Sequence, residues 1–148
     1  MTNEITMIYI GSDHAGLQLK NILIESLTRD GYLITDIGPK KYKSEDDFPD
    51  FAVKVCQMIK KDIKAKGILI CNSGQGMAMA ANKIEGIRAA VCWNTDLAKQ
   101  AREHLDANIL CFGASYLNEA EAREIIDIFL STQFLAKEKY LRRIKKIK

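Results

Sequence analysis

Nothing in this 148-residue chain is apolar for long enough to cross a bilayer, and no signal peptide is visible, so neither a membrane nor a secretory role is expected. Charge of one sign does not dominate. There are 22 Lys and Arg against 19 Asp and Glu, and a net charge of +3 is too small to argue for nucleic acid. The four cysteines, Cys56, Cys71, Cys92 and Cys111, contain no Cys-x-x-Cys pair. Neither a metal site nor a disulfide framework is indicated, and reduced thiols in a cytoplasmic protein are the expectation. No Gly-x-Gly-x-x-Gly fingerprint and no Gly-Lys-Ser/Thr phosphate loop occur, which weakens any generic nucleotide-binding reading. Repeats and low-complexity segments are missing too. Histidine is scarce: His14 and His104 are the only two.

What is present is a regular alternation of short apolar runs with longer amphipathic stretches. Strands are expected at 7–10, 32–37, 67–71, 87–92 and 108–112. Helices are expected at 15–30, 51–61, after Gly76, and at 96–103. Asn118, with Glu121 three residues on, forms a capping-box pattern for a helix that buries Ile125, Ile126, Phe129 and Leu130. Residues 40–47 read as a polar loop. A last amphipathic stretch, 134–147, carries Leu141, Ile144 and Ile147 on one side. Five strand–helix units in alternation imply an α/β fold, a Rossmann-like three-layer sandwich whose five-stranded parallel sheet has helices on both faces. Residues 1–133 make up this domain, and the basic helix at 134–148 belongs to it. Ligands of such a sheet bind beyond the carboxyl ends of its strands.

The segment from Lys66 to Lys83 is the most informative. The apolar run Ile68–Ile70 stops at Cys71, a loop with Gly74 and Gly76 follows, and strong helix formers come next. Strand, glycine turn and helix together build an anion site, because the first N–H groups of a helix lack partners and glycine admits close approach. A thiolate at Cys71 is favoured by those N–H groups. A small apolar residue ending a buried strand is the competing reading of the same cysteine. Ser73 suits either a ligand contact or an ordinary helix cap. Asp13 suits a turn or cap, and His104 a helix end, where the dipole favours it. The tail cations, among them Lys139, Arg143 and Lys148, read as a solvated face or as a local anion site.

In order along the chain stand Gly11-Ser-Asp-His-Ala-Gly16, Cys71-Asn-Ser-Gly-Gln-Gly76, Ala80-Ala-Asn-Lys83, Gly86-Ile-Arg-Ala89, Arg102-Glu-His104 and Ala107-Asn108. The set resembles the ribose-5-phosphate isomerase B family, whose relatives include the galactose-6-phosphate isomerase subunits, and the likeness runs from the first strand to the tail. It implies reversible isomerisation of ribose 5-phosphate and ribulose 5-phosphate, a step of the pentose phosphate pathway, with no metal and no organic cofactor. It further implies a homodimer, in some members paired into a tetramer, with sites at the subunit boundary near the C-terminal helix. By the same resemblance Cys71 is the base for the proton next to the carbonyl, and His104 and Asp13 serve ring opening. Ser73 with Asn72, Gly74, Gln75 and Gly76 surrounds the developing oxyanion, and His14, Lys139 and Arg143 hold the phosphate. One branch of the family carries a glutamate base after the last loop glycine. That position is Met77, so this chain resembles the cysteine branch.

Four positions depart from the family pattern. An asparagine after the histidine is Leu105, an arginine after the fifth strand is Ser115, a tyrosine before the loop proline is Phe48, and the first tail arginine is Lys139. Lysine supplies charge but not a two-pronged fork. These changes leave open a six-carbon sugar phosphate such as allose or galactose 6-phosphate as substrate. They also leave open a non-catalytic phosphosugar-binding subunit on the same fold. Retention of Cys71, Asp13 and His104 favours the pentose isomerase, since binding alone needs neither base nor acid.

Overall fold

The structure, a computed structural model, describes residues 6–147, so Lys148 of the basic tail lies outside the described residues. Strands β1 (Met7–Ser12), β2 (Leu33–Gly38), β3 (Lys66–Cys71), β4 (Ala89–Val91) and β5 (Ile109–Gly113) form one parallel sheet in the order β2-β1-β3-β5-β4. Helices α1 (Leu17–Arg29), α2 (Phe48–Lys61), α3 (Gln75–Ala81), α4 (Thr95–Leu105), α5 (Glu119–Ser131) and α6 (Glu138–Lys145) complete the chain.

The central strand explains the layering. Successive side chains of a strand face opposite ways. Ile68 and Ile70 of β3 pack into a core with Leu23 and Leu27 of α1, Ala98 of α4, and Ile125 and Phe129 of α5. Leu69 and Cys71 point the other way, into a core with Val55 and Ile59 of α2 and Met77 and Ala81 of α3. Both faces of β3 are therefore dry, which is why it reads as an unbroken apolar run. Each fully buried aliphatic side chain contributes roughly 1.5–3 kcal/mol. The expected sandwich with helices on both faces is the observed fold.

Local chemistry shifts some boundaries. The first helix starts as a 3-10 turn over His14–Gly16 because the Asp13 carboxylate accepts the Ala15 and Gly16 N–H groups at 3.0 and 3.2 Å. Helix α2 begins at Phe48, earlier than its apolar period suggests, since Pro49 fits a first helical turn that needs no N–H. Strand β4, expected over 87–92, is three residues long. It is an edge strand, and the Asn82 side chain takes the place of a neighbour, bonding the N–H and C=O of Ala89 at 2.8 and 2.9 Å. The Asn118–Glu121 capping box forms as expected, while Leu130 is only half-buried. The last segment is helical only from Glu138. No α6 residue is buried, and Leu141 and Ile147 are 42% and 61% exposed, so the described residues do not cover that apolar side.

Candidate active site

The connection after β1 moves to one side of the sheet order and those after β2 and β3 to the other. Loops that part in this way open a crevice at the carboxyl ends of β1 and β3. Asp13 and His14 leave the first strand there, and Asn72 to Gly76 leave the second. The two are tied together, since the Asp13 N–H donates to the Ile70 carbonyl at 3.2 Å.

Cys71 ends β3 and is only 5% exposed, and its sulfur accepts the Gly74 N–H at 3.1 Å. That bond needs the chain to double back, and Gly74 does so in the left-handed region at φ 83°; a β-carbon there would also lie 2.8 Å from the Phe112 backbone. Gly76 has the Phe48 ring where its β-carbon would be, at 2.7 Å. Phe48 thus packs on the loop as an apolar plate. Ser73 Oγ accepts the Gln75 N–H at a long 3.4 Å, so the hydroxyl acts as a weak cap. Asn72 and Gln75 are exposed. The Ser115 hydroxyl bonds the Asn72 side-chain oxygen and the Ser115 N–H donates to the Asn72 carbonyl, so this serine anchors the loop. Beside the loop lies a cavity of about 430 Å3, bordered by Ser73, Gln75, Trp93, Gly113, Tyr116 and Glu121.

Burial pushes Cys56 up to about 11 and Cys92 up to about 12, and holds Cys111 well above the usual thiol range. Each is a neutral packing group at physiological pH. Met77, where the other branch of the resembled family has its acid, is fully buried among the side chains of α2 and α3.

His14 is held by the loop that follows β2. Its backbone N–H donates to Asp46 Oδ1 at 3.0 Å, and its Nδ1 lies 2.6 Å from the same oxygen. The Tyr42 ring meets the imidazole edge-on at 5.8 Å. The bond to Asp46 raises the His14 pKa; burial opposes this, and the charges of Asp13, Asp46 and Glu45 add to it. Among the described residues, Asp13, His14 and Asp46 are the one group with three possible metal donors within 4.8 Å of one another. Asp13 Oδ1 and His14 Nδ1 are already engaged in hydrogen bonds, which argues for a bonded cluster rather than a chelate.

Asp46 and Tyr42 were not singled out by sequence. The available signal was an acidic triplet, residues 45–47, in the loop after a strand adjacent to β1, but nothing told which acid would reach His14.

The remaining site residues lie elsewhere. Helix α4 runs back along the sheet, so His104 ends near the start of β4, where the Leu105 carbonyl accepts from Arg88 Nε at 2.9 Å. From the Gly67–Ile109 level to the Cys71–Gly113 level is four strand steps, or about 13 Å. His104 stacks on Tyr140 of α6 with ring centroids 4.7 Å apart, and Lys139 Nζ lies 5.1 Å from the centre of the same tyrosine ring. Arg143 follows one helical turn after Lys139 and is exposed. Within one chain, Cys71, Ser73, Asp13 and His14 form one group at the carboxyl edge. His104, Lys139 and Arg143 form another, toward the opposite edge.

Known proteins share this fold. The sequence model of the Ribose/Galactose Isomerase family matches residues 8–147. A probable ribose-5-phosphate isomerase B of Mycoplasma genitalium is 42% identical over 141 residues, 95% of this chain and 92% of that protein. The solved structure of ribose-5-phosphate isomerase B from the same organism, with bound ribulose-5-phosphate, has a TM-score of 0.91 at 41% identity, covering 96% of this chain and 93% of that one. A ribose 5-phosphate isomerase structure from Thermotoga maritima has a TM-score of 0.93 at 41% identity, covering 97% and 98%. This chain belongs to the Ribose/Galactose Isomerase family.

Proposed function

We propose that this protein is an aldose–ketose isomerase that interconverts ribose 5-phosphate and ribulose 5-phosphate through an enediolate, with Cys71 as the base. The observation that carries the reading is the Cys71 sulfur at a strand's carboxyl end, accepting the Gly74 N–H at 3.1 Å inside a loop otherwise free of acids and bases. The M. genitalium relative with bound ribulose-5-phosphate supports the substrate. A thiolate there removes the proton from the carbon next to the carbonyl and returns it to the neighbouring carbon. The Ser73 hydroxyl and N–H groups of the Asn72–Gly76 loop stabilise the oxygen on which charge develops, while the Gly74 N–H stays on the Cys71 sulfur. Asp13, its carboxylate fixed by two backbone N–H groups, and His104 move protons during ring opening. His14, Lys139 and Arg143 bind the phosphate. The scheme calls on no metal and no organic cofactor.

The separation of the two groups in one chain supports a site shared between two copies, each giving Cys71 and His14 to one site and His104, Lys139 and Arg143 to the other. The uncovered apolar side of α6 supports the same assembly, a homodimer that can pair further into a tetramer. Function in the cytoplasm fits four cysteines that are all free thiols. The test is complementation. Cys71→Ala and His104→Asn, each expected to be inactive, are co-expressed with different tags, and the mixed dimer is assayed on ribose 5-phosphate beside allose 6-phosphate. One of its two sites is intact, so it should show about half the wild-type rate per dimer, with the pentose preferred. A mixed dimer as inactive as its parents would refute the shared site.

A further inference from the structure

We propose that Asp46 positions His14, holding the imidazole by Nδ1 so that Nε2–H is the donor offered to the substrate's phosphate. The inference rests on the reading of His14 as a phosphate ligand and names a residue that this reading does not contain.

The geometry is specific. A single carboxylate oxygen, Asp46 Oδ1, takes both the backbone N–H of His14 at 3.0 Å and its ring Nδ1 at 2.6 Å. The two bonds fix where the residue stands and which ring nitrogen faces inward. Tyr42, from the same loop, closes one edge of the ring at 5.8 Å. With Nδ1 committed, the nitrogen left to meet a ligand is Nε2, and the His14 side chain keeps 31% of its surface open.

Asp46 itself is 91% buried by side-chain area, being 9% exposed, and its second oxygen, Oδ2, is buried with no hydrogen-bond partner among the described residues. A carboxylate shut away with one oxygen unpartnered is costly unless a cation lies against it. A protonated imidazole at 2.6 Å is that cation. In this the pair resembles the carboxylate behind a metal-bound histidine, which sets the orientation and the proton of the ring while never touching the ligand.

Electrostatics point the same way. The groups facing His14 are Asp46 and Glu45 from the loop after β2, Asp13 from the end of β1, and the Tyr42 ring; all three acids raise the His14 pKa, with the Asp46 bond first, against burial, which lowers it. Charged imidazole is then retained as pH rises through the range where a phosphate monoester becomes a dianion, at a pKa of about 6. The sign follows. Binding that depends on His14 is complete below its raised pKa and is lost as pH climbs through it.

The experiment pairs Asp46→Asn with His14→Asn. It measures KM and kcat against pH and follows the His14 Cε1–H resonance by NMR. The protein has two histidines, and His104→Asn assigns the second. Asp46→Asn should raise KM about tenfold with kcat within about twofold, lower the His14 titration midpoint, and start the rise in KM at lower pH. A residue that merely stabilised the loop would move the melting temperature but not the titration. If the titration stays in place in Asp46→Asn, the proposal is overturned. It is overturned as well if the titration shifts and KM does not, while His14→Asn raises KM. If His14→Asn itself leaves KM unchanged, the phosphate role of His14 falls, and the proposal falls with it for that separate reason. Should Asp46→Asn fail to fold, the wild-type protein decides: a His14 midpoint at or below the ordinary 6.5 overturns the idea.

Discussion

Replacing Cys71 separates what its sulfur does for the fold from what it does for the reaction. Cys71→Ala removes the sulfur of a residue that is only 5% exposed and leaves the Gly74 N–H without its acceptor. The lost burial costs about 1 kcal/mol, and an N–H stranded in a buried place costs about 1–3 kcal/mol more. For a chain of this size each kcal/mol lowers the melting temperature by about 2–4 °C. Cys71→Ser keeps an acceptor for that N–H, so it should recover most of the loss. It supplies no comparable base at neutral pH, because a hydroxyl does not give up its proton as a thiol does. Removing a general base lowers turnover by about 10²–10⁴-fold, or about 2.7–5.4 kcal/mol of barrier at about 1.36 kcal/mol per decade. The assays are ribulose 5-phosphate formation, deuterium uptake from solvent at the carbon next to the carbonyl, and thermal unfolding. Both variants should lose turnover and exchange together, while only the alanine variant melts appreciably lower. A serine variant of near-native stability that kept turnover within tenfold of wild type would refute the reasoning, since the role of the sulfur would then be structural.

Thiol chemistry should single out one cysteine of four: a small alkylating reagent should modify Cys71 and abolish activity, and ribose 5-phosphate should slow the reaction, as peptide mass mapping would show. Modification of Cys56, Cys92 or Cys111 at a comparable rate would contradict the raised thiol pKa that burial gives them. Arg143→Ala should raise KM by about one to two orders of magnitude with kcat little changed, as expected when a charged hydrogen bond worth roughly 1.5–3 kcal/mol is made alike in ground and transition states. An unchanged KM would return the α6 cations to a solvated face.

Most of the fold was legible because its period was. The alternation of apolar runs and helical stretches in the sequence corresponds to the sheet with helices on both faces, and the Asn118 box forms the cap it spells out. Boundaries failed where a side chain intervened at a terminus: Asp13 tightening a first turn, Pro49 opening α2 early, Asn82 standing in for a strand beside Ala89. At the site, Cys71, Ser73 and Asp13 could be located beyond strand ends because the glycine loop and the strand order dictate those positions. Asp46 could not. Its contact with His14 spans 32 residues and depends on how the polar loop folds back, which no local pattern encodes. Asp13 also combines its two readings, since the carboxylate proposed for ring opening is the one that caps the turn.

The separation of Cys71 from His104 follows from the direction of the chain. A residue that ends a strand and a residue that ends the returning helix fall at opposite edges of a parallel sheet, whatever their identities. An acid taken from the end of α4 therefore cannot be brought to a base at the end of β3 by rearranging side chains across about 13 Å. In the proposed assembly a second copy removes the difficulty without any change in the first. The surface features agree with such a contact. Leu105, Leu141 and Ile147 are 42%, 42% and 61% exposed, and the hollow lined by Leu105, Ile144 and Ile147 lies on the side of the fold that carries His104. Burying such side chains contributes roughly 1.5–3 kcal/mol each where contact is full. In that assembly the apolar side of α6 would hold the copies together while its Lys139 and Arg143 meet the phosphate, and one short amphipathic helix would serve both assembly and binding.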